Sequence, residues 1–138
     1  MVGVIVVAAT LAVAVLIGLL WRRRNGSMRR PRGDDVRLAG ADLGAALGPR
    51  ATLVQFSSAF CAPCRATRLI LDSVCDAVDG VAHVEIDAES HLDLVRRLHV
   101  LRTPTVLVLD ADGRVVKRAS GQPRKVDVIA ALGEVVNT

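Results

Sequence analysis

From Val2 to Leu20 the chain carries no charged residue and consists almost wholly of Val, Ala, Leu, Ile and Gly. A helix of that length spans about 28 Å at ~1.5 Å per residue, close to the hydrocarbon thickness of a bilayer. Little in the remainder could cover a helix that is apolar all round, which favours a membrane span over a buried core helix. Trp21 follows at the depth of an interfacial aromatic. A cleaved signal peptide carries its positive charge before a shorter apolar region, whereas here the arginines come after it. The expectation is an uncleaved anchor over residues 1–21, with its Arg-rich flank, and hence the following domain, on the cytoplasmic side.

The basic character of the chain is confined to that flank. Arg22, Arg23, Arg24, Arg29, Arg30 and Arg32 outweigh the formal net charge of +4, so everything from Gly33 onward is mildly acidic. The segment from Arg22 to Arg32 is suited to anionic lipid headgroups. Nucleic acid is set aside, because a nucleic-acid surface calls for basic residues on the domain, often interleaved with aromatics, and the only aromatics are Trp21, Phe56 and Phe60. Residues 22–35, rich in Gly, Pro and charge, read as a linker. Residues 36–138 are left for one small domain.

Within that domain the period of the apolar residues alternates between strand and helix. "VRLAG" reads as a short strand and "ADLGAALG" as a short helix stopped by Gly48-Pro49. "ATLVQFSS" is a strand, "APCRATRLILDSVCDAVDG" a helix, and "VAHVEIDA" a second strand. "SHLDLVRRLHV" reads as a helix with Leu92, Val95, Leu98 and His99 facing the core. Asp112-Gly113 between two Val/Leu-rich runs signals a hairpin. The chain closes on a helix whose apolar positions are Val126, Ile129, Ala130, Leu132 and Val136. The βαβ unit requires parallel strands and the hairpin adds antiparallel ones. The expected fold class is therefore α/β, with a mixed central sheet of four to five strands flanked by helices.

The chemistry concentrates at "FCAPCR". A Cys-x-x-Cys pair serves haem attachment, zinc or dithiol–disulfide exchange. Haem attachment needs a histidine after the second cysteine, and Arg65 stands there. Zinc needs two further ligands. Cys75 lies eleven residues beyond Cys64 on the same helix, about 16 Å away along its axis, too far to share a tetrahedron or a disulfide with the pair. Redox chemistry fits the setting. The strand-to-helix junction puts Cys61 at a helix N-terminus, where unpaired N–H groups and the helix dipole favour the thiolate that must attack. Cys64, one turn on, is placed to resolve a mixed disulfide formed at Cys61. Pro63 is tolerated in the first helical turn. Arg65 and Arg68 add positive charge nearby, or serve only solubility. Cys75 shares a helix face with Cys64, Leu71 and Val78 and reads as a buried thiol without a redox role.

"LVQFSSAFCAPCRATRLILDSV", with "VEIDAE", "LRTPTVLVLD", "DGRVV" and "SGQP", resembles the thioredoxin family from about Val36 to the last helix. Phe60 and Ala62 stand where that family's motif has Trp and Gly. The resemblance implies that Thr103-Pro104 is a cis-proline loop beside the cysteines, lining a groove for an extended substrate together with Gly121. Two departures stand out. Gln55 occupies the place of a buried aspartate thought to relay a proton from the second cysteine, and His83 that of its lysine partner. His83 is thus a candidate for proton transfer at Cys64, weighed against the plainer reading of a packed strand histidine. Leu69 replaces a helix-kinking proline.

The motif and the resemblance together imply a membrane-tethered enzyme that reduces or exchanges protein disulfides through Cys61 and Cys64. No cofactor or metal is expected beyond that redox-active disulfide, and electrons come from a separate reductase. The competing readings are a redox-silent module that binds a membrane partner through the same groove, and an extracytoplasmic maturation reductase or oxidant.

Overall fold

The computed structural model describes residues 1–31 and 35–137. Arg32, Gly33, Asp34 and Thr138 lie outside the described residues, so the expected headgroup contact of Arg32 and the middle of the expected linker are not covered. Helix α1 runs from Val2 to Arg24 and leaves its apolar side chains exposed along its length. Among the described residues it is the one helix long and apolar enough to cross a membrane. The remaining elements are α2 (Gly40–Leu43), β1 (Ala51–Ser57), α3 (Ala62–Ala77), β2 (Val81–Asp87), α4 (Leu92–Arg97), β3 (Thr105–Asp110), β4 (Val115–Ser120) and α5 (Lys125–Val136).

Strand β1 is buried at all seven positions, which explains its near-continuous apolar run: it is central in the sheet and covered on both faces. The sheet order is β2-β1-β3-β4, with β1 and β2 parallel and the other neighbours antiparallel. Alternation along β1 sends Val54 and Phe56 to one side, where Leu38, Leu43, Leu94, Leu98 and Val100 cover them. It sends Ala51 and Leu53 to the other, against Leu71 and Val74 of α3 and Val128, Ala131 and Leu132 of α5. Gln55 shares this second face and is fully buried. The β3–β4 hairpin closes at the expected Asp112-Gly113 turn. The Asp110 carboxylate accepts from the N–H groups of Asp112 and Arg114, and Gly113 adopts φ 82°.

Among the described residues the sheet has four strands, within the expected four to five. "VRLAG" instead lies along the outer edge of β4: Val36 accepts from the N–H of Val115, and Leu38 donates to Gly113. The preceding segment does the same further along. Arg29 exchanges both backbone hydrogen bonds with Arg118 (2.7 Å each), and the Gly26 N–H reaches the Ser120 carbonyl (2.7 Å). Part of what reads in sequence as a linker is therefore fastened to the sheet edge that would otherwise be open.

Helix phases also differ from expectation. In α4 it is Leu94 that is buried while Leu92 is half exposed, and His99 follows the helix at φ 51°. In α5 the covered residues are Val128, Ala131 and Leu132, while Val126 and Ile129 face outward.

Candidate active site

The end of β1 and the start of α3 carry the cysteine pair. Cys61 is the N-cap of α3, with extended backbone, and its Sγ accepts the N–H of Cys64 at 3.2 Å. A cap whose acceptor is sulfur takes up one of the helix's orphan donors and holds that sulfur against the positive end of the dipole. Cys61 and Cys64 are joined as a disulfide, with Cα atoms 5.2 Å apart. The two sulfurs are not equivalent: Cys61 is half-buried at the surface, whereas Cys64 is 2% exposed. Pro63 sits in the first turn, and its carbonyl accepts from the Thr67 hydroxyl at 2.8 Å.

Phe60, immediately before Cys61, is fully exposed and adopts φ 58°, which aims its ring away from the core. Such a backbone is uncommon for an aromatic residue and gathers at functional loops. Ala62 and Arg65 are exposed on the first turn of α3. Arg68 forms a two-pronged ion pair with Glu85 of β2. Leu69 is exposed, so the helix loses no core contact where the resemblance puts a proline.

The Thr103-Pro104 bond is cis, as the resemblance implies. Pro104 is buried, and the Thr103 hydroxyl is paired with that of Ser58 in the loop before Cys61 (2.7 Å). This short bond holds the proline loop to the cysteine loop. On the other side the Pro104 carbonyl accepts the N–H of Gly121 (2.7 Å), whose φ of 94° suits glycine alone. Thr103, Pro104 and Gly121 are thus brought together at one end of the sheet, the end from which β1 leads to Cys61.

Gln55 lies beneath the pair. Its side-chain amide donates to the carbonyl of Cys64 (2.8 Å) and to the hydroxyl of Ser57 (2.9 Å), while its buried Oε1 has no partner. The amide therefore anchors the first turn of α3 and has no proton to exchange with Cys64. His83 is placed elsewhere: its register partner on β1 is Leu53, and its Nδ1 lies 2.7 Å from Asp72 two turns along α3. The structure does not join His83 to either Gln55 or Cys64 by a hydrogen bond. The geometry agrees with a packed strand histidine, although its buried Nε2 is unpartnered. Among the described residues, no group of three or more His, Cys, Asp or Glu converges as a metal site. Burial pushes the Cys75 thiol up, with Asp72 and Asp76 acting in the same direction, so this third cysteine stays protonated.

Three residues went unremarked in the sequence. Ser58 joins the two loops, Glu85 holds Arg68, and Arg102 donates to both the Ser120 carbonyl (2.8 Å) and the Asn25 side chain. None carries a sequence signal beyond ordinary polarity, since each acts by where the fold puts it.

A family model described as Thioredoxin matches residues 45–134. A curated thioredoxin from Gallus gallus is 32% identical over 81 residues, covering 59% of this chain and 75% of the relative. One from Mycobacterium tuberculosis (strain ATCC 25618 / H37Rv) is 28% identical over 85 residues, covering 61% and 72%. Among solved structures, chloroplastic thioredoxin z superposes with a TM-score of 0.61 at 22% identity, over 78% of this chain and 100% of that one. Mitochondrial thioredoxin 3 from Saccharomyces cerevisiae gives 0.55 at 19%, over 62% and 78%.

Proposed function

The chain belongs to the thioredoxin family and is a thiol–disulfide oxidoreductase, and on that premise we propose that it reduces protein disulfides at a membrane surface, with α1 as its anchor. Residues 1–21 are the transmembrane segment, Arg22, Arg23 and Arg24 the basic flank on the headgroups, and residues 36–138 the catalytic domain, for which that flank favours the cytoplasmic side.

In this reading Cys61 is the nucleophile. With the pair reduced, the Cys61 thiolate is favoured by the N-terminal end of α3 and is the more accessible of the two sulfurs. It attacks one sulfur of the substrate disulfide, forming a mixed disulfide and releasing the other sulfur as a thiolate that takes up a proton. Cys64 then loses its proton and attacks Cys61, which releases the second substrate thiol. Two electrons and two protons pass to the substrate, and the Cys61–Cys64 disulfide remains for a separate dithiol reductase to reopen. Phe60, Ala62, Pro63 and Arg65 shape the approach to Cys61. Thr103, Pro104 and Gly121 line the groove that receives the substrate backbone. Gln55 fixes the Cys64 carbonyl, so the proton of Cys64 leaves to solvent or substrate, with no part for His83.

The observation that carries the reading is the asymmetry of the pair: a half-exposed sulfur capping a helix, backed by one buried a turn deeper. The test is stoichiometric reduction of a model protein disulfide by pre-reduced full-length protein in detergent, alongside Cys61→Ser. Wild type is expected to oxidise its pair as the substrate is reduced, and Cys61→Ser to do nothing. Equal activity of the two would refute the assignment. Sidedness is tested separately, because labelling of reduced Cys61 by an impermeant thiol reagent in intact cells would overturn the cytoplasmic placement.

A further inference from the structure

We infer that the substrates of this enzyme are disulfides in the juxtamembrane layer of integral membrane proteins, because the tether delivers the active-site end of the sheet to the bilayer surface. The inference rests on reading α1 as membrane-spanning and goes beyond it to the substrate class.

The last helical residue of α1 is Arg24, and Asn25 closes the helix by donating to the Trp21 carbonyl (2.9 Å). The very next residue, Gly26, donates to Ser120 (2.7 Å). Ser120 is the register partner of Thr105, which follows cis-Pro104, and Gly121 is bonded to the Pro104 carbonyl. Two residues therefore separate the end of the helix from the wall of the substrate groove, a span of at most about 7 Å. From Trp21 to Arg24 adds roughly 5 Å of helix. Beyond it, Arg29 lies beside Arg118 and Leu38 beside Gly113, successively nearer the far end of the sheet. The anchor thus joins the domain at the end where β1 leads into Cys61, and its last turns lie beside α5, Leu19, Arg22 and Arg23 lining one cavity with Arg124 and Ala130.

The junction is built rather than loose. Gly26 (φ 74°) and Gly121 (φ 94°) face the segment opposite so closely that a Cβ on Gly26 would overlap the Gln122 carbonyl, and one on Gly121 the Asn25 side chain. The Asn25 side chain also accepts from Arg102, two residues before Pro104. A flexible leash would let the groove sample all directions. This one fixes it within about 15 Å of the interfacial plane. The chemistry of the rim agrees, since Phe60 and Leu101 are 103% and 92% exposed at this same end. Apolar side chains with no cover there suit a partner segment that is itself half in the interface.

The test uses full-length, pre-reduced protein in phospholipid vesicles together with single-span peptides carrying one disulfide loop. The loop is set either about three residues or about twenty residues beyond the apolar span, the longer spacer reaching roughly 60 Å when extended. Wild type is expected to reduce the near loop about tenfold faster than the far one, as a fixed geometry raises effective concentration only where it matches the span. A ten-residue Gly/Ser insertion between Arg24 and Asn25 is expected to bring the two rates together while leaving reduction of a soluble disulfide peptide unchanged. Equal rates for wild type, or an insertion variant that keeps the wild-type ratio, would overturn the inference. Vesicle flotation separates the two levels. A protein that does not float refutes the anchor and the inference with it, whereas one that floats and shows no preference refutes the substrate class alone.

Discussion

Replacing Gln55 by glutamate exchanges an amide for a carboxyl of nearly the same shape at a fully buried site. In the native protein the side-chain amide donates two hydrogen bonds, to the Cys64 carbonyl at 2.8 Å and to the Ser57 hydroxyl at 2.9 Å. A neutral carboxyl keeps the arrangement: its O–H donates to Cys64, and the Ser57 hydroxyl turns to donate to it. An ionised carboxylate has no proton for Cys64 and sets negative charge against a carbonyl oxygen away from water. The folded protein therefore holds the introduced carboxyl neutral, and its pKa rises by about 3 units from an unfolded value near 4.3, within the range for buried carboxyls. The sign comes from linkage. A raised acid pKa leaves stability intact below about pH 4.3 and removes it as pH climbs through the folded value, at about 1.36 kcal/mol per unit, or ~4 kcal/mol in all. For a domain of this size that lowers Tm by on the order of 20 °C. The assay is thermal unfolding of full-length wild type and Gln55→Glu in detergent, followed by circular dichroism from pH 4 to 8. The two curves should nearly coincide at pH 4 and diverge as the pH rises. A Tm difference that stays constant over this range would refute the claim that Gln55 acts as a buried donor to Cys64.

Other residues give simpler expectations. Gly26→Ala places a side chain at φ 74° and against the Gln122 carbonyl, so it should cost about 2 kcal/mol or more and release the edge segment, read as faster hydrogen exchange at the amides of residues 26 and 29. With its thiol held protonated by burial, Cys75 should react with iodoacetamide far more slowly at pH 7 than reduced Cys61, the gap narrowing only in alkaline solution. The Arg68–Glu85 pair is exposed to solvent screening, and Arg68→Ala should leave the midpoint of a urea titration nearly unchanged. A large drop in midpoint would mean that the pair also holds α3 on β2.

How far the sequence revealed the site depended on whether a residue acts through its type or through its place. Cys61, Pro63 and Cys64 were legible because a redox pair needs fixed spacing and a helix start, and both are written locally. Gln55 and Pro104 were legible only through the family resemblance, since a buried amide and a cis bond leave no periodic trace. The fastening of Gly26, Arg29, Val36 and Leu38 to the edge at β4 leaves no sequence trace because it is made by backbone groups, and the Asn-Gly-Ser composition there signals only a turn. Helix α5 is legible but only part of its phase is: eight of the eleven residues from Val126 to Val136 are apolar, so Leu132 is expected in the core and is buried, while spacing alone does not choose between Ile129 and Val128. His83 illustrates the limit in the other direction. Its strand was found correctly, yet only the register shows it beside Leu53 with its ring on Asp72, away from the cysteines.

The central claim is that Cys61 attacks and Cys64 resolves. Its most direct measurement is covalent trapping by full-length Cys64→Ser in membranes, because removing the resolving thiol leaves the mixed disulfide with no way forward. Protein adducts are expected on non-reducing gels that disappear with dithiothreitol and are absent from Cys61→Ser,Cys64→Ser. Adducts that persist in that double variant, or that form on Cys61→Ser and not on Cys64→Ser, would contradict it.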